Sequence, residues 1–136
     1  MNQHTVRIKV AEIDIECTLN RTITSLKLLD LLPITASTNT WGGEIYFPIG
    51  LGVDIEPYSS DVVESGAIAY WPPGDALCIF YGKTPASTPN QIRAASPVTL
   101  LGTVNGDETV FKSIRSGEEI TIKDLALTVS EIVGKE

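Results

Sequence analysis

A chain of 136 residues, 43% hydrophobic and 20% charged, has the size of one domain and the composition of a packed globular core, which excludes intrinsic disorder. Its net charge of −7 repels phosphate backbones, and its lysines and arginines are scattered rather than gathered into a stripe, so no nucleic-acid partner is expected. No window approaches the ~18 consecutive apolar residues of a spanning helix and residues 1–9 lack a signal peptide's apolar core; no membrane association and a cytoplasmic location are expected.

Val6, Ile8 and Val10 alternate with Arg7 and Lys9, and Ile13, Ile15, Cys17 and Leu19 alternate with Asp14, Glu16 and Thr18. This period of two predicts a pair of antiparallel strands with one wet face. The Ala11-Glu12 connection lacks the Asn-Gly chemistry of two-residue hairpins, which leaves the register open. Residues 22–32 switch to helical spacing, with Ile23, Leu26 and Leu29 and then Leu28, Leu31 and Leu32 in step, Thr22 or Thr24 as N-cap and Pro33 closing the run. So short a helix draws its stability from lying against a sheet or plugging a barrel end.

Residues 34–40 are strand-compatible and lead into a bend at Trp41-Gly42-Gly43. Residues 44–49 then place Ile45, Phe47 and Ile49 on one face and Glu44 and Tyr46 on the other. Pro48 donates no backbone hydrogen bond, so this strand ends there or runs along an edge. Residues 50–66, punctuated by glycine and proline, read as a surface excursion.

Residues 67–82 read AIAYWPPGDALCIFYG, two uncharged apolar runs separated by Pro72-Pro73-Gly74. They predict a central hairpin or sharp corner, because the prolines stop the first strand and Gly74 has the freedom to turn. Residues 83–97, with Pro85, Pro89 and Pro97, read as a long loop that either binds something or is pinned by its own contacts. A strand follows at 98–104, then a turn at Asn105-Gly106. Asp107 caps a short helix in which Val110, Phe111 and Ile114 share a face, Gly117 sits where that helix ends, and a strand returns at 119–122. From Leu125 onward the spacing fits a strand or a helix equally. About eight short strands with two helices, lacking a helix after every strand, suggest a closed or nearly closed β-barrel formed by one domain over 1–136.

The chemical signals are sparse. Cys17 and Cys78 lie in apolar runs and His4 stands near the terminus, so no nucleophilic pair is expected. No Cys-x-x-Cys or His-x-x-x-His spacing predicts a metal, and no cofactor is expected. Gly50-Leu51-Gly52 lacks the lysine and following helix of a phosphate loop. Glu44, Glu64 and Asp75 could converge for acid–base chemistry, but no spacing rule brings them together. Trp41, Tyr46, Tyr70 and Trp71 could line a groove, each offering an apolar body with a polar tip.

In the blocks Tyr70-Trp71-Pro72-Pro73-Gly74, Phe80-Tyr81-Gly82-Lys83-Thr84-Pro85 and Ser96-Pro97-Val98, in this order, the chain resembles the cyclophilin-like domain family of small prokaryotic proteins. The resemblance implies a mainly β, cyclophilin-like closed eight-stranded barrel with one or two short helices at its ends. Cyclophilins isomerise the bond before proline, which has a barrier of about 18–20 kcal/mol, and they carry the arginine for it in a Phe-x-Arg strand motif. The region from Thr40 to Phe47 here contains no arginine, so that motif is not matched. The expectation is a module binding a small molecule or a proline-containing peptide through Trp41, Tyr46, Tyr70, Trp71, Phe80 and Arg93. The alternatives are a prolyl isomerase in which Arg93 replaces the missing arginine, and a subunit of a larger amide-hydrolysing assembly; a homo-oligomer is also compatible.

Overall fold

The computed structural model describes residues 4–125. Strands β1 (His4–Val10) and β2 (Ile13–Leu19) form the expected hairpin, with Val10 opposite Ile13 and Ala11 at φ 53° in the turn. Helix α1 (Ile23–Leu31) follows, and the choice of cap is settled: Thr22 Oγ1 accepts the Ser25 N–H at 3.2 Å. Of the apolar residues in step along it, Leu28 is buried with Thr24 and Ser25 and Leu29 and Leu32 pack against the core, while Ile23, Leu26 and Leu31 stay exposed. The helix is held as much by polar contacts, among them Ser25 Oγ donating to Asn20 Oδ1 at 2.7 Å, as by burial.

Strands β3 (Ile34–Ser37), β4 (Asn39–Thr40), β5 (Glu44–Pro48), β6 (Ser60–Val63), β7 (Ala67–Trp71), β8 (Ala76–Phe80), β9 (Ile92–Asn105) and β10 (Glu119–Asp124) complete the sheet. Its order is β3-β10-β1-β2-β9-β7-β8-β5-β4, with β6 on the flank of β9, and neighbouring strands are antiparallel. The two ends of this path, β3 and β4, are separated in the chain by Thr38 alone. The sheet therefore wraps round on itself, but its ladder is open, which corrects the closed eight-stranded barrel. At Thr38 the backbone N–H donates to Glu118 O and the carbonyl accepts from Gly117 N–H, which continues the β3–β10 pairing one step toward β4.

The hairpin at the centre of the sequence forms as expected. β7 pairs with β8 from Ile68 opposite Ile79 to Trp71 opposite Ala76, around a 3-10 turn at Pro72–Gly74. Asp75 follows in the left-handed region at φ 49°. Its carboxylate accepts from Leu51 N–H and Gly52 N–H, both at 2.9 Å, and from the Tyr70 hydroxyl at 2.5 Å, so the turn also anchors the loop after β5.

Two expectations along the second half are corrected. Residues 92–97 are not loop but the start of a 14-residue strand, because β6, a strand inside the expected surface excursion, pairs Val63 with Ile92 and Val62 with Arg93. Residues 108–113 form the expected short helix, of the 3-10 type, capped as expected by Asp107 Oδ1 accepting Thr109 N–H at 3.0 Å, but its apolar residues do not all share a buried face. Phe111 and Ile114 face the core but Val110 is exposed, and the helix ends before Gly117. The ambiguous tail beyond residue 125 lies outside the described residues. Alternation divides β5, β8 and β7 between two apolar clusters. Ile45, Phe47, Leu77, Ile79, Ile68 and Tyr70 join Val6, Ile8 and Phe111 inside; Ala67, Ala69, Cys78 and Phe80 belong to a second cluster on the opposite face.

Candidate functional site

That opposite face carries the site. Register places Tyr46 opposite Cys78 and Cys78 opposite Ala69, with Glu44 opposite Phe80 one step along. The alanines keep the surface low, and the first half of β9 folds over it, with Ala94 and Val98 packed into the same cluster. A cavity of about 260 Å³ remains between the two layers, lined by Trp41, Glu44, Tyr46, Trp71, Ala94, Ala95 and Val98.

Each wall has an identifiable support. Trp41 stands at the bend before β5, where Gly43 lies so close to Gly82 that a Cβ would come within 2.3 Å of the Gly82 carbonyl carbon. Only glycine allows that approach, and the Gly43 carbonyl accepts Tyr81 N–H at 2.8 Å and Gly82 N–H at 3.1 Å. Trp71 closes the other side; its indole Nε1–H donates to Ser96 Oγ at 2.7 Å, tying the ring to β9. Tyr46 and Trp71 meet edge to face, with ring centroids 6.4 Å apart and planes at 73°, an orientation favoured by the ring quadrupoles.

Glu44 is the polar group of this apolar cavity, 6% exposed. Burial raises its carboxyl to about 7, against which a hydrogen bond from the Cys78 thiol works in the opposite direction. Among the described residues no lysine, arginine or histidine forms an ion pair with it. The Cys78 thiol is itself pushed well up by burial and by the neighbouring carboxylate, and Tyr81 is raised by burial and by Glu44. Both stay neutral near pH 7, which leaves Glu44 to titrate there.

Of the residues expected at a site, Trp41, Tyr46 and Trp71 come together around this cavity. Tyr70 points the other way, into the interior, 1% exposed and bonded to Asp75. Phe80 lies fully buried beneath the outer face. Arg93 sits on β9 rather than on a loop, and its guanidinium donates to Asp61 Oδ2 at 2.9 Å, an ordinary ion pair, and to Gln91 Oε1 at 2.8 Å. Glu44, Asp75 and Glu64 do not converge: Asp75 is held at the far end of β8 and Glu64 is exposed. Cys17 and Cys78 are free and buried, burial pushing Cys17 up to about 12. Among the described residues no group of three or more His, Cys, Asp or Glu is arranged to hold a metal, and no helix is long and apolar enough to cross a membrane.

The cyclophilin-like family model matches residues 4–123. The chain belongs to the cyclophilin-like family. A solved relative is the hypothetical protein AF2241 from Archaeoglobus fulgidus, known from a solution structure, with 35% sequence identity and a TM-score of 0.77 over 90% of this chain and 95% of that one. A search of curated proteins finds no match. Family membership agrees with a mainly β, cyclophilin-like architecture, and the aromatic cavity lies within the matched residues.

Sequence reasoning names Glu44 only as one of three carboxylates that could converge, not as part of the aromatic groove, because strand alternation puts it on the same side as Tyr46, which reads as a wet face. The available signal was that the paired strand opposite, residues 76–80, is apolar on both faces, so whatever stands beside it on β5 is also covered.

Proposed function

We propose that this cyclophilin-like protein is a binding module that takes a small molecule or a peptide side chain into the cavity between β5, β8, β7 and the first half of β9. The observation that carries this reading is the convergence of Trp41, Tyr46 and Trp71 on one cavity with a buried carboxyl at its wall. An apolar enclosure with few, fixed polar groups is the usual form of a small-ligand site, and the volume suits a ligand of modest size.

NMR chemical-shift mapping with a panel of small apolar and amphipathic probes tests it. Saturable shifts confined to residues around Trp41, Tyr46, Trp71 and Ala94 are the expected result; the reading fails if every probe at millimolar concentration leaves those signals in place. A prolyl isomerase using Arg93 is the weaker reading, since that guanidinium is already engaged by Asp61 and Gln91 and does not line the cavity. A protease-coupled proline-peptide assay in which wild-type protein accelerates isomerisation and Arg93→Ala does not would restore it.

A further inference from the structure

We infer that the cavity is built for an organic ammonium ion, with apolar substituents against Trp41, Tyr46 and Trp71 and its positive charge beside the Glu44 carboxylate. The inference rests on the reading of the cavity as a binding site and adds the chemical class of its ligand. Three observations point the same way.

The first is the composition of the wall. Three aromatic rings surround a volume of about 260 Å³, and the faces of Trp and Tyr attract cations through their quadrupoles, most strongly where water is excluded. The second is the charge balance. Glu44 is buried, reaches the cavity and lacks an ion-pair partner among the described residues. A buried carboxylate without a cation is costly, so an entering cation supplies what the fold withholds, whereas an anion is repelled and a neutral guest leaves the carboxyl as it was. The third is the shape of the polar surroundings. The indole N–H of Trp71 is already committed to Ser96, and the lining residues from β9 are Ala94, Ala95 and Val98. The cavity thus offers a guest aromatic side chains and a carboxylate but little that would recognise an anion.

The groups facing Glu44 make a definite pH signature. Cys78 and Tyr81 are both raised by burial and by Glu44, Tyr46 stands beside it on β5, and the residues that β9 contributes to the lining, Ala94, Ala95 and Val98, are not titratable. Ligand binding that requires the ionised carboxylate must expel its proton below about pH 7. Affinity for a permanently charged guest then falls about tenfold per pH unit on the acid side and is flat on the alkaline side.

Choline and its neutral carbon isostere 3,3-dimethylbutan-1-ol are the probes, because they share shape and differ in charge. Trp41 and Trp71 are the two tryptophans of the chain and both line the cavity, so intrinsic fluorescence reports occupancy directly. Choline is expected to bind about tenfold or more tighter than the isostere at pH 8, to weaken progressively from pH 7 to pH 5.5, and to lose both the preference and the pH dependence in Glu44→Gln. Equal or tighter binding of the isostere, a flat pH profile for choline, or no fluorescence response to choline in folded wild-type protein overturns the ammonium assignment. The first two of these outcomes leave a binding site in place, whereas loss of the binding reading itself requires that the wider probe panel also fail. The wild-type comparison of the two probes decides the matter even if Glu44→Gln does not fold.

Discussion

The two faces of β5, β8 and β7 are built from alternate residues of the same three strands and are finished in opposite ways. Inside, Ile45, Phe47, Ile68, Leu77 and Ile79 fill the space, and the one polar tip, the Tyr70 hydroxyl, is met by Asp75. Outside, Ala67, Ala69 and Cys78 leave the surface low, three aromatic side chains line a gap, and a carboxyl is buried with no cationic partner among the described residues. The difference teaches that strand alternation finishes the two faces differently: one is packed to completion, the other is roofed by β9 but left with a cavity, the one proposed above to bind a ligand.

Phe47→Ala is the strongest way to break the comparison. It removes a fully buried ring from the inner face and is expected to cost about 3–5 kcal/mol in denaturant unfolding; a loss near that of an exposed residue would mean that the inner face is not the stabilising one. Glu44→Gln addresses the outer face through pH. With its folded carboxyl raised to about 7 against an unfolded value near 4.3, Glu44 holds a proton in the folded state that the unfolded chain has released. Its contribution is therefore full below about pH 4.3 and is lost as pH rises toward 7, and the stability of wild type relative to Glu44→Gln should fall by up to about 3 kcal/mol across that window. Equilibrium unfolding of both proteins at pH 4.5 and pH 7.5 measures it, and parallel behaviour would place Glu44 in contact with water.

Tyr70→Phe sharpens the contrast between satisfied and unsatisfied polar groups. Removing the hydroxyl that donates to Asp75 is expected to cost about 1–1.5 kcal/mol, while probe binding at the outer cavity stays unchanged because the ring faces inward. Arg93→Ala should have the smallest effect. Its pair with Asp61 is 32% and 40% exposed, which corresponds to less than about 1 kcal/mol, with no change in cavity occupancy. A large loss of binding in this variant would move the site toward β6.

How much of this was legible in the sequence varies from element to element. β1 and β2 could be read from alternation alone, and the β7–β8 hairpin from two apolar runs interrupted by Pro72-Pro73-Gly74, because local sterics and period-two burial are properties of the strand itself. Trp41, Tyr46 and Trp71 were recognisable as candidates because each offers an apolar body with a polar tip beside a turn, but the same signal named Tyr70, which is core. Arg93 and Glu44 were misjudged for the same reason: the first half of β9, with Ala94, Ala95, Ser96 and Pro97, looks like a loop until β6 is present to pair with it. Once that strand exists it covers the face on which Glu44 stands.

The amino-acid order by itself determined which residues alternate and where the chain must turn, since each follows from the geometry of a few adjacent residues. Only the tertiary structure decided that the wrapped sheet stays open at Thr38, that Tyr70 rather than Trp71 faces the interior, and that Glu44 lies buried with no cationic partner among the described residues. Those outcomes depend on pairings between segments tens of residues apart, and no local pattern encodes which distant strand will arrive to cover a given face.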